Sequence, residues 1–459
     1  MNIIEIIKNN LMYKTSKYNY FIENGGSVIY SNGLSNQCFS VKKIEHERLQ
    51  LLLNDLISFE INYNSVFLKF LDWGFIINDD IDEIDIIRYR NRKATIESRD
   101  YNLVINPTLE CNFNCWYCYE NHPKGYMNKN TVELIKKHVD YMVEKRRIDS
   151  LHLSWFGGEP LLYFDEIVFP ISSYAKEVCT SSNIPYSSSI TTNASKINMD
   201  MIYKMISINM NDFQITIDGS PARHNKIRNE KGVPSFDLIM NNINRICELN
   251  EHSHITLRIN YDDKTLKDNL LKEVFENIPT QYRKRILPNF QRVWQTFEKR
   301  GKDNLENVER TKIIQICNDL GFKFDSPSNA FQPGKYYKCY VDRFYHAEIN
   351  YDGKVYSCTA RDYSDDYVTG VLKETGELVW NETERVKRYS KATFENAMCL
   401  KCKYLPLCLG PCSQKIKETS KEHLKDLCYL SYTEVSPETV IIEYFNRKMR
   451  LLREHDAGY

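Results

Sequence analysis

The 459-residue chain carries no excess charge of either sign, since 61 lysines and arginines balance 61 aspartates and glutamates. Without a global basic field it predicts no nucleic-acid partner. It has neither an acidic tail nor a basic arm. Apolar runs are broken by Asn, Lys or Asp well short of the roughly 18 residues a membrane span needs, so no membrane association is expected. The opening stretch, MNIIEIIKNNLMYK, lacks a clean apolar core and a small-residue cleavage site and does not read as a secretory signal. These absences point to a reducing, cytoplasmic setting. The chain also lacks an internal repeat of fixed period and any low-complexity tract. Its composition is that of an ordinary globular protein, with tyrosine plentiful at 31 residues.

What the chain does have is 14 cysteines. In a reducing compartment, thiols in a protein of this length serve more often as metal ligands than as disulfides. Their distribution agrees. Cys111, Cys115 and Cys118 sit together, and seven more lie between Cys339 and Cys428. The scattered Cys38, Cys179, Cys247 and Cys317 read as small buried hydrophobes.

The length leaves room for roughly two to four domains. In residues 1–97, YNYFIENGG and SVIYSNG alternate like a hairpin around Gly25 and Gly26. HERLQLLLNDL and NSVFLKFLDWG have helical apolar spacing, with Gly74 as a stop. GFIIN reads as a strand and DEIDIIRYRNR as a helix, which together suggest a winged-helix-like module. From 98 to 300, strand candidates YNLVINPT, SLHLSWF, YSSSITT, DFQITID, HITLRINY and RILPNFQRV alternate with amphipathic segments such as VELIKKHVDYMV, FDLIMNNINRICEL and LKDNLLKEVFENI. Repeated β-α units predict a parallel sheet with right-handed crossovers. Six strands are too few to close an eight-stranded barrel, so the expected α/β fold is a partial (β/α)6 barrel with ligands at the carboxyl ends of its strands. Residues 301–335 predict a helical connector built on LENVERTKIIQICNDLG. A cysteine-rich domain follows over 336–432, and SPETVIIEYFNRKMRLL predicts a closing helix within 433–459.

Cys111-x3-Cys115-x2-Cys118 lies in NPTLECNFNCWYCYE, directly after the first of these strands. A four-iron cluster normally takes four thiolates. Three leave one iron open to a small chelator bearing an amine and a carboxylate. Zinc is the alternative, but a structural zinc site wants four closed ligands and no fourth stands nearby. The spacing, the aromatic Tyr117 and the strand-end position resemble the radical S-adenosylmethionine family. The resemblance implies a cluster-bound S-adenosylmethionine, cleaved by one electron to a 5′-deoxyadenosyl radical, with Tyr117 against the adenine.

Further along, SWFGGEP ends the next strand with Gly157, Gly158, Glu159 and Pro160. Taken alone this is a turn between strand and helix. In the family the element meets the amino group of S-adenosylmethionine, and glycines let backbone approach a ligand closely. ITTNAS places Thr192 and Asn193 at the third strand end, with Ala194 where the family often has glycine. ITIDGSPARHNKIR resembles the family's fourth strand and following loop, which makes Arg228 a candidate for the cofactor's carboxylate; a surface salt bridge is its other reading. Arg258 and Asn260 on the fifth strand are placed to face the barrel lumen or to cap its edge.

The later spacing is Cys339-x13-Gly353-x4-Cys358, Cys399-x2-Cys402-x5-Cys408-x3-Cys412, then Cys428. It resembles the SPASM domain, an extension that binds auxiliary iron–sulfur clusters, although a pair of zinc ribbons would also use Cys399-x2-Cys402. The resemblance assigns Cys339, Cys358 and Cys412 to one cluster and Cys399, Cys402, Cys408 and Cys428 to another, three [4Fe-4S] clusters in all. The three-cysteine set leaves a position for Asp342, His346, Cys317 or a thiolate of the substrate.

SPASM proteins mostly modify ribosomally made peptides. The resemblance therefore implies a maturase forming a thioether or other cross-link in a precursor peptide with a leader sequence, supplied with electrons by a flavodoxin or ferredoxin. The front module favours this over an anaerobic sulfatase-maturing enzyme, which oxidises Cys or Ser to formylglycine and usually begins close to the radical motif. A non-catalytic iron–sulfur electron carrier predicts a degraded first motif, and here the cysteines and GGEP are all present.

Overall fold

The computed structural model describes residues 12–262, 270–293, 313, 315–322, 334–428, 430 and 436–456. They form two compact units that interleave along the chain. One comprises the described residues of Met1–Glu97, Ser328–Asp342 and Lys391–Tyr459; the other comprises those of Ser98–Pro327 and Arg343–Ser390.

In the first unit, β1 (Tyr13–Thr15) precedes an antiparallel sheet of β2 (Asn19–Asn24), β3 (Ser27–Asn32) and β4 (Cys38–Lys42). The expected hairpin is there. Gly25 and Gly26, at φ 56° and 84°, make its two-residue turn, because a turn that matches strand twist needs positive φ at both central residues. Helices α1 (Lys43–Asn54), α2 (Leu56–Asn62) and α3 (Asn64–Asp72) follow, then β5 (Ile76–Asn78), which pairs with β1, and α4 (Glu83–Arg92). Helix α3 stops where Gly74 turns left-handed (φ 74°) and the Phe75 N–H returns to the Phe70 carbonyl at 2.8 Å.

What the sequence did not reveal is that this front segment shares its cores with the cysteine-rich end. Tyr18 and Ile87 pack with Phe394, Cys399, Leu405 and Leu409. Tyr20, Ile29 and Cys38 pack with Leu407, Cys408, Val440 and Ile441. Polar ties follow the same seam: the Tyr20 hydroxyl donates to Lys403 O at 2.9 Å, and Arg88 makes a two-point pair with Glu395 at 2.8 and 3.0 Å.

The second unit is built on β6 (Asp100–Ile105), α5 (Lys129–Glu144), β7 (Ser150–Trp155), α6 (Phe169–Ser181), β8 (Tyr186–Thr192), α7 (Met199–Ser207), β9 (Met210–Ile217) and α8 (Pro221–Ile227). A minute hairpin, β10 (Asn229–Glu230) and β11 (Val233–Pro234), leads to α9 (Phe236–Leu249), β12 (His254–Tyr261), α10 (Leu270–Glu276) and β13 (Ile286–Arg292). All six strands expected from the sequence form, and they run parallel in the order β13-β12-β9-β8-β7-β6. The sheet then continues. β14 (His346–Ile349) adds in parallel to β6, and β15 (Lys354–Tyr356), β16 (Gly370–Leu372) and β17 (Leu378–Trp380) extend it antiparallel to ten strands.

Alternation along these strands separates core from lumen. Tyr101, Leu103 and Ile105 of β6, Phe213, Ile215 and Ile217 of β9, and Ile255, Leu257 and Ile259 of β12 belong to one apolar core with the helices. Apart from Val104, the residues that alternate with them are mostly polar, among them Asn102, Ser154, Gln214, Thr216, Arg258 and Asn260. A fully buried parallel sheet reads as continuous apolar runs; the period of two here marks an inner face that holds a site. The connector helix expected over 305–321 lies outside the described residues except for 313 and 315–321, of which 313 and 315–319 are helical. The closing helix is α11 (Pro437–Asp456). No helix of the described residues is long and apolar enough to cross a membrane.

Candidate functional site

At the carboxyl ends of β6, β7, β8, β9 and β12 lies a cavity of about 170 Å³. Its wall brings together Cys111, Cys115, Tyr117 and Cys118 from the loop after β6, Gly157 and Gly158 after β7, Thr192 and Asn193 after β8, Arg228 after α8, and Arg258 and Asn260 of β12. Glu159 and Pro160 are buried behind this wall.

The three cysteines share a short loop in which the Cys118 N–H donates to Cys115 O at 2.9 Å and the Phe113 N–H approaches Cys111 Sγ at 3.5 Å. Burial, reinforced by the Glu159 charge, pushes the Cys111 thiol up to about 12, and burial also raises Cys115 and Cys118. Free, such thiols stay protonated; a metal centre makes thiolates of them. Among the described residues no three His, Cys, Asp or Glu converge as ligands of a single ion. A cubane cluster carries its irons at separate corners and does not require that convergence. The donor set, three neighbouring thiols on a cavity with an adjacent cation, fits such a cluster.

The glycines of the GGEP turn are set by backbone proximity. A Cβ on Gly158 would clash with the carbonyls of Glu110 and Leu109, and one on Gly157, at φ 97°, with the Thr108 carbonyl. The Glu159 N–H donates to Glu110 O at 2.8 Å, so the turn is pressed against the cysteine loop. The Glu159 carboxylate, fully enclosed, accepts from Leu161 N at 3.0 Å, Thr192 Oγ1 at 2.7 Å and Asn193 N at 2.7 Å. It pins the end of β7 to the end of β8. Asn193 Nδ2 in turn donates to Asn112 Oδ1 at 2.8 Å, returning to the cysteine loop. Ala194 sits at φ 61°, a left-handed conformation that glycine would adopt without cost.

Arg228 is no surface arginine. It pairs with the buried Asp218, a residue whose role the sequence did not disclose, and its Nη2 donates to the Tyr117 hydroxyl at 2.8 Å. That hydroxyl donates to Asp218 at 2.6 Å and accepts from Asn260 Nδ2 at 3.0 Å. Arg258 Nε reaches Asn260 Oδ1 at 3.0 Å. Burial opposes the Arg228 charge, but Asp218, Tyr117 and Cys115 outweigh it and hold the guanidinium above its ordinary value. Behind it, the Asp218 N–H donates to His224 Nδ1 at 3.2 Å. Burial lowers His224 to about 4, so it is a neutral brace.

A further group of acceptors stands beside the cysteine loop. Glu348 of β14, opposite Val104 of β6, has no exposed surface. Its Oε1 accepts from Asn106 Nδ2 at 3.2 Å and the Tyr363 hydroxyl at 2.5 Å. Burial pushes it up to about 7. Glu120, on the cavity wall, is within electrostatic reach of it. No local signature in the sequence marks either residue; only the alternation of HAEI hints that Glu348 faces inward.

At the other end of the chain, Cys399, Cys402, Cys408 and Cys428 lie in the first unit, and Cys399 feels the charges of the other three. Cys339 and Cys412 lie in the same unit, both within electrostatic reach of Lys338. Cys358 belongs to the second unit, just after β15. Of the residues considered for completing the three-cysteine set, His346 engages Asn102 Nδ2 at 3.1 Å and Ser357 O at 3.2 Å, so both ring nitrogens are taken. Asp342 accepts from the Cys339 N–H at 2.9 Å, and Cys317 is fully buried in the apolar core.

Residues 105–270 match the Radical SAM superfamily, and residues 339–403 match SPASM, an iron–sulfur cluster-binding domain. An uncharacterized protein of Methanocaldococcus jannaschii is 34% identical over 122 residues, 26% of this chain. The match spans only 38% of that relative's own length. Among solved structures, native anSMEcpe with bound AdoMet superimposes with a TM-score of 0.53 at 19% identity, over 78% of this chain and 100% of its own. The same protein with AdoMet and the Cp18Cys peptide gives 0.54 at 18% identity, over 78% and 99%. At these identities the likeness establishes the fold.

Proposed function

We propose that this chain, in which a Radical SAM superfamily domain is joined to a SPASM iron–sulfur cluster-binding domain, is a peptide maturase that forms a thioether or related cross-link in a ribosomally made precursor. The observation that carries the reading is one cavity lined by Cys111, Cys115, Cys118 and the buried Arg228 at the carboxyl ends of the barrel strands. A cluster on the three thiolates, with S-adenosylmethionine on its open iron, would supply a 5′-deoxyadenosyl radical there.

The chain's own part is binding, orientation and exclusion of water. Arg228 offers a cation to the cofactor's carboxylate, its angle held by Asp218 and by the Tyr117 hydroxyl. Tyr117, tied at its hydroxyl to Asp218, Arg228 and Asn260, presents a fixed ring for the adenine. Gly157 and Gly158 give the cofactor's amino group access to backbone, and Thr192 and Asn193 stiffen the rim through Glu159. The ten clustered cysteines support three clusters, two of them auxiliary, and a flavodoxin or ferredoxin as electron source. The folded segment before the barrel supports leader-peptide recognition. anSMEcpe was solved with AdoMet and a peptide, in keeping with a peptide substrate; formylglycine formation remains the competing reaction on the same site.

The test is anaerobic reconstitution with a one-electron reductant. The chain should release 5′-deoxyadenosine, and Cys115→Ala should release none. Cleavage at the wild-type rate in that variant would end the assignment.

A further inference from the structure

Three buried oxygen acceptors beside the cysteine loop have no hydrogen-bond donor: Glu120 Oε2, Glu348 Oε2 and Asn106 Oδ1. They are neighbours. Asn106 Nδ2 donates to Glu348 Oε1, and Tyr363 lies within electrostatic reach of both carboxylates. With Glu348 ionised, turning the Asn106 amide over would only set its oxygen against the Glu348 carboxylate. Asn106 is fully buried and lies directly behind Gly157, a residue of the cavity wall. Glu120 forms part of that wall. No lysine or arginine among the described residues forms an ion pair with Glu120 or Glu348. Buried acceptors without donors are costly, and buried carboxylates without a cation more so. Three unmet acceptors, with no lysine or arginine paired to either carboxylate and His122 acting on Glu120 alone, describe a receptor for a compact group with several N–H donors and a positive charge.

We propose that Glu120, Glu348 and Asn106 bind the ammonium group of a lysine side chain of the substrate, drawing that residue into the barrel beside the cysteine loop. An ammonium has three donors for three orphan acceptors, and its charge answers two carboxylates. The aliphatic stem of lysine reaches from a peptide at the mouth to a buried head. The site thus selects a basic residue at or next to the position being modified. That the amine comes from a peptide rests on the function proposed above; the receptor itself rests on the three acceptors.

Binding can be read without turnover. The probe is N-acetyl-lysine N-methylamide, with N-acetyl-norleucine N-methylamide as its uncharged counterpart. Saturation-transfer NMR on the anaerobically reconstituted full chain should show transfer to the lysine Cε protons and none to norleucine. Glu348→Gln should weaken lysine binding about 10-fold or more, the range expected for a hydrogen bond to a charged group. Glu348→Gln combined with Asn106→Asp should recover much of it by returning a carboxylate, which guards against a merely misfolded variant. Equal transfer to norleucine, unchanged affinity in Glu348→Gln, or displacement of lysine by potassium or magnesium ions alone would overturn the proposal. A chain that binds lysine here but cannot cleave S-adenosylmethionine would overturn the functional reading instead.

Discussion

Single residues divide by whether their chemistry imposes a local spacing. The ten clustered cysteines and GGEP stood out because the ligand role proposed for the one and the close backbone approach of the other demand fixed intervals. Asp218, Glu120 and Glu348 were not, because a lone acid has no such signature and acquires meaning only when strands distant in sequence are laid side by side. Arg228 shows what that costs: the sequence left a surface salt bridge and a ligand role as alternatives, and the structure shows a pair with the buried Asp218 at the cavity wall. Replacing Tyr117 with Phe removes one hydroxyl that serves Asp218, Arg228 and Asn260. Unfolding of the variant should report a loss of about 1–3 kcal/mol, the usual cost of stranding buried partners. Arg228→Ala should weaken S-adenosylmethionine binding by at least about 10-fold in anaerobic equilibrium dialysis, since a charge-assisted contact is lost. Glu348 yields a pH signature. Burial raises it from 4.5 to about 7 in the fold, so the folded state holds a proton that the unfolded state has released. Its contribution is intact below 4.5 and is lost as pH rises to about 7. Between pH 5 and 7.5 the wild type should lose roughly 2–3 kcal/mol of unfolding free energy that Glu348→Gln does not lose.

Elements were read well where they were long and periodic. All six barrel strands and the helices α5 and α9 fell where alternation and helical spacing put them. The strands that lengthen the sheet, β14 to β17, have three or four residues each, too few for a period to show. Their Gly353, at φ 80°, stood out only as part of the cysteine spacing, although it makes the turn between β14 and β15. The close contact of two turns is equally invisible in a sequence. The β7–α6 turn needs Gly158 because the Glu110 carbonyl occupies the place of its Cβ. Gly158→Ala should therefore displace the cysteine loop, and the reconstituted variant should lack about four irons per chain relative to wild type, measured by iron assay. Full iron content would mean that the loop holds its cluster without this contact.

At the scale of the molecule, linear order misled. The sequence sets a front module before the barrel and a cysteine-rich domain after it, yet the described parts of both ends form one unit. Tyr18 shares an apolar core with Cys399 and Tyr20 one with Cys408, and both cysteines belong to the proposed second auxiliary cluster. Removing residues 1–95 would then do more than test the proposed leader recognition. It would strip Tyr18, Tyr20 and Ile87 from the shell of that cluster, and truncating single buried aromatics already costs about 3–5 kcal/mol. The truncated chain should lose roughly four of about 12 irons while still releasing 5′-deoxyadenosine, because the radical site lies in the other unit. Tyr20→Ala should give a milder form of the same deficit while leaving the rest of the front segment in place. If truncation leaves the iron content whole and only weakens binding of a leader-bearing precursor, the front segment is a recognition module alone. If iron and binding fall together, and Tyr20→Ala lowers iron while sparing precursor affinity, the segment has two separable roles, shielding a cluster with one face of its sheet and reading the peptide with another.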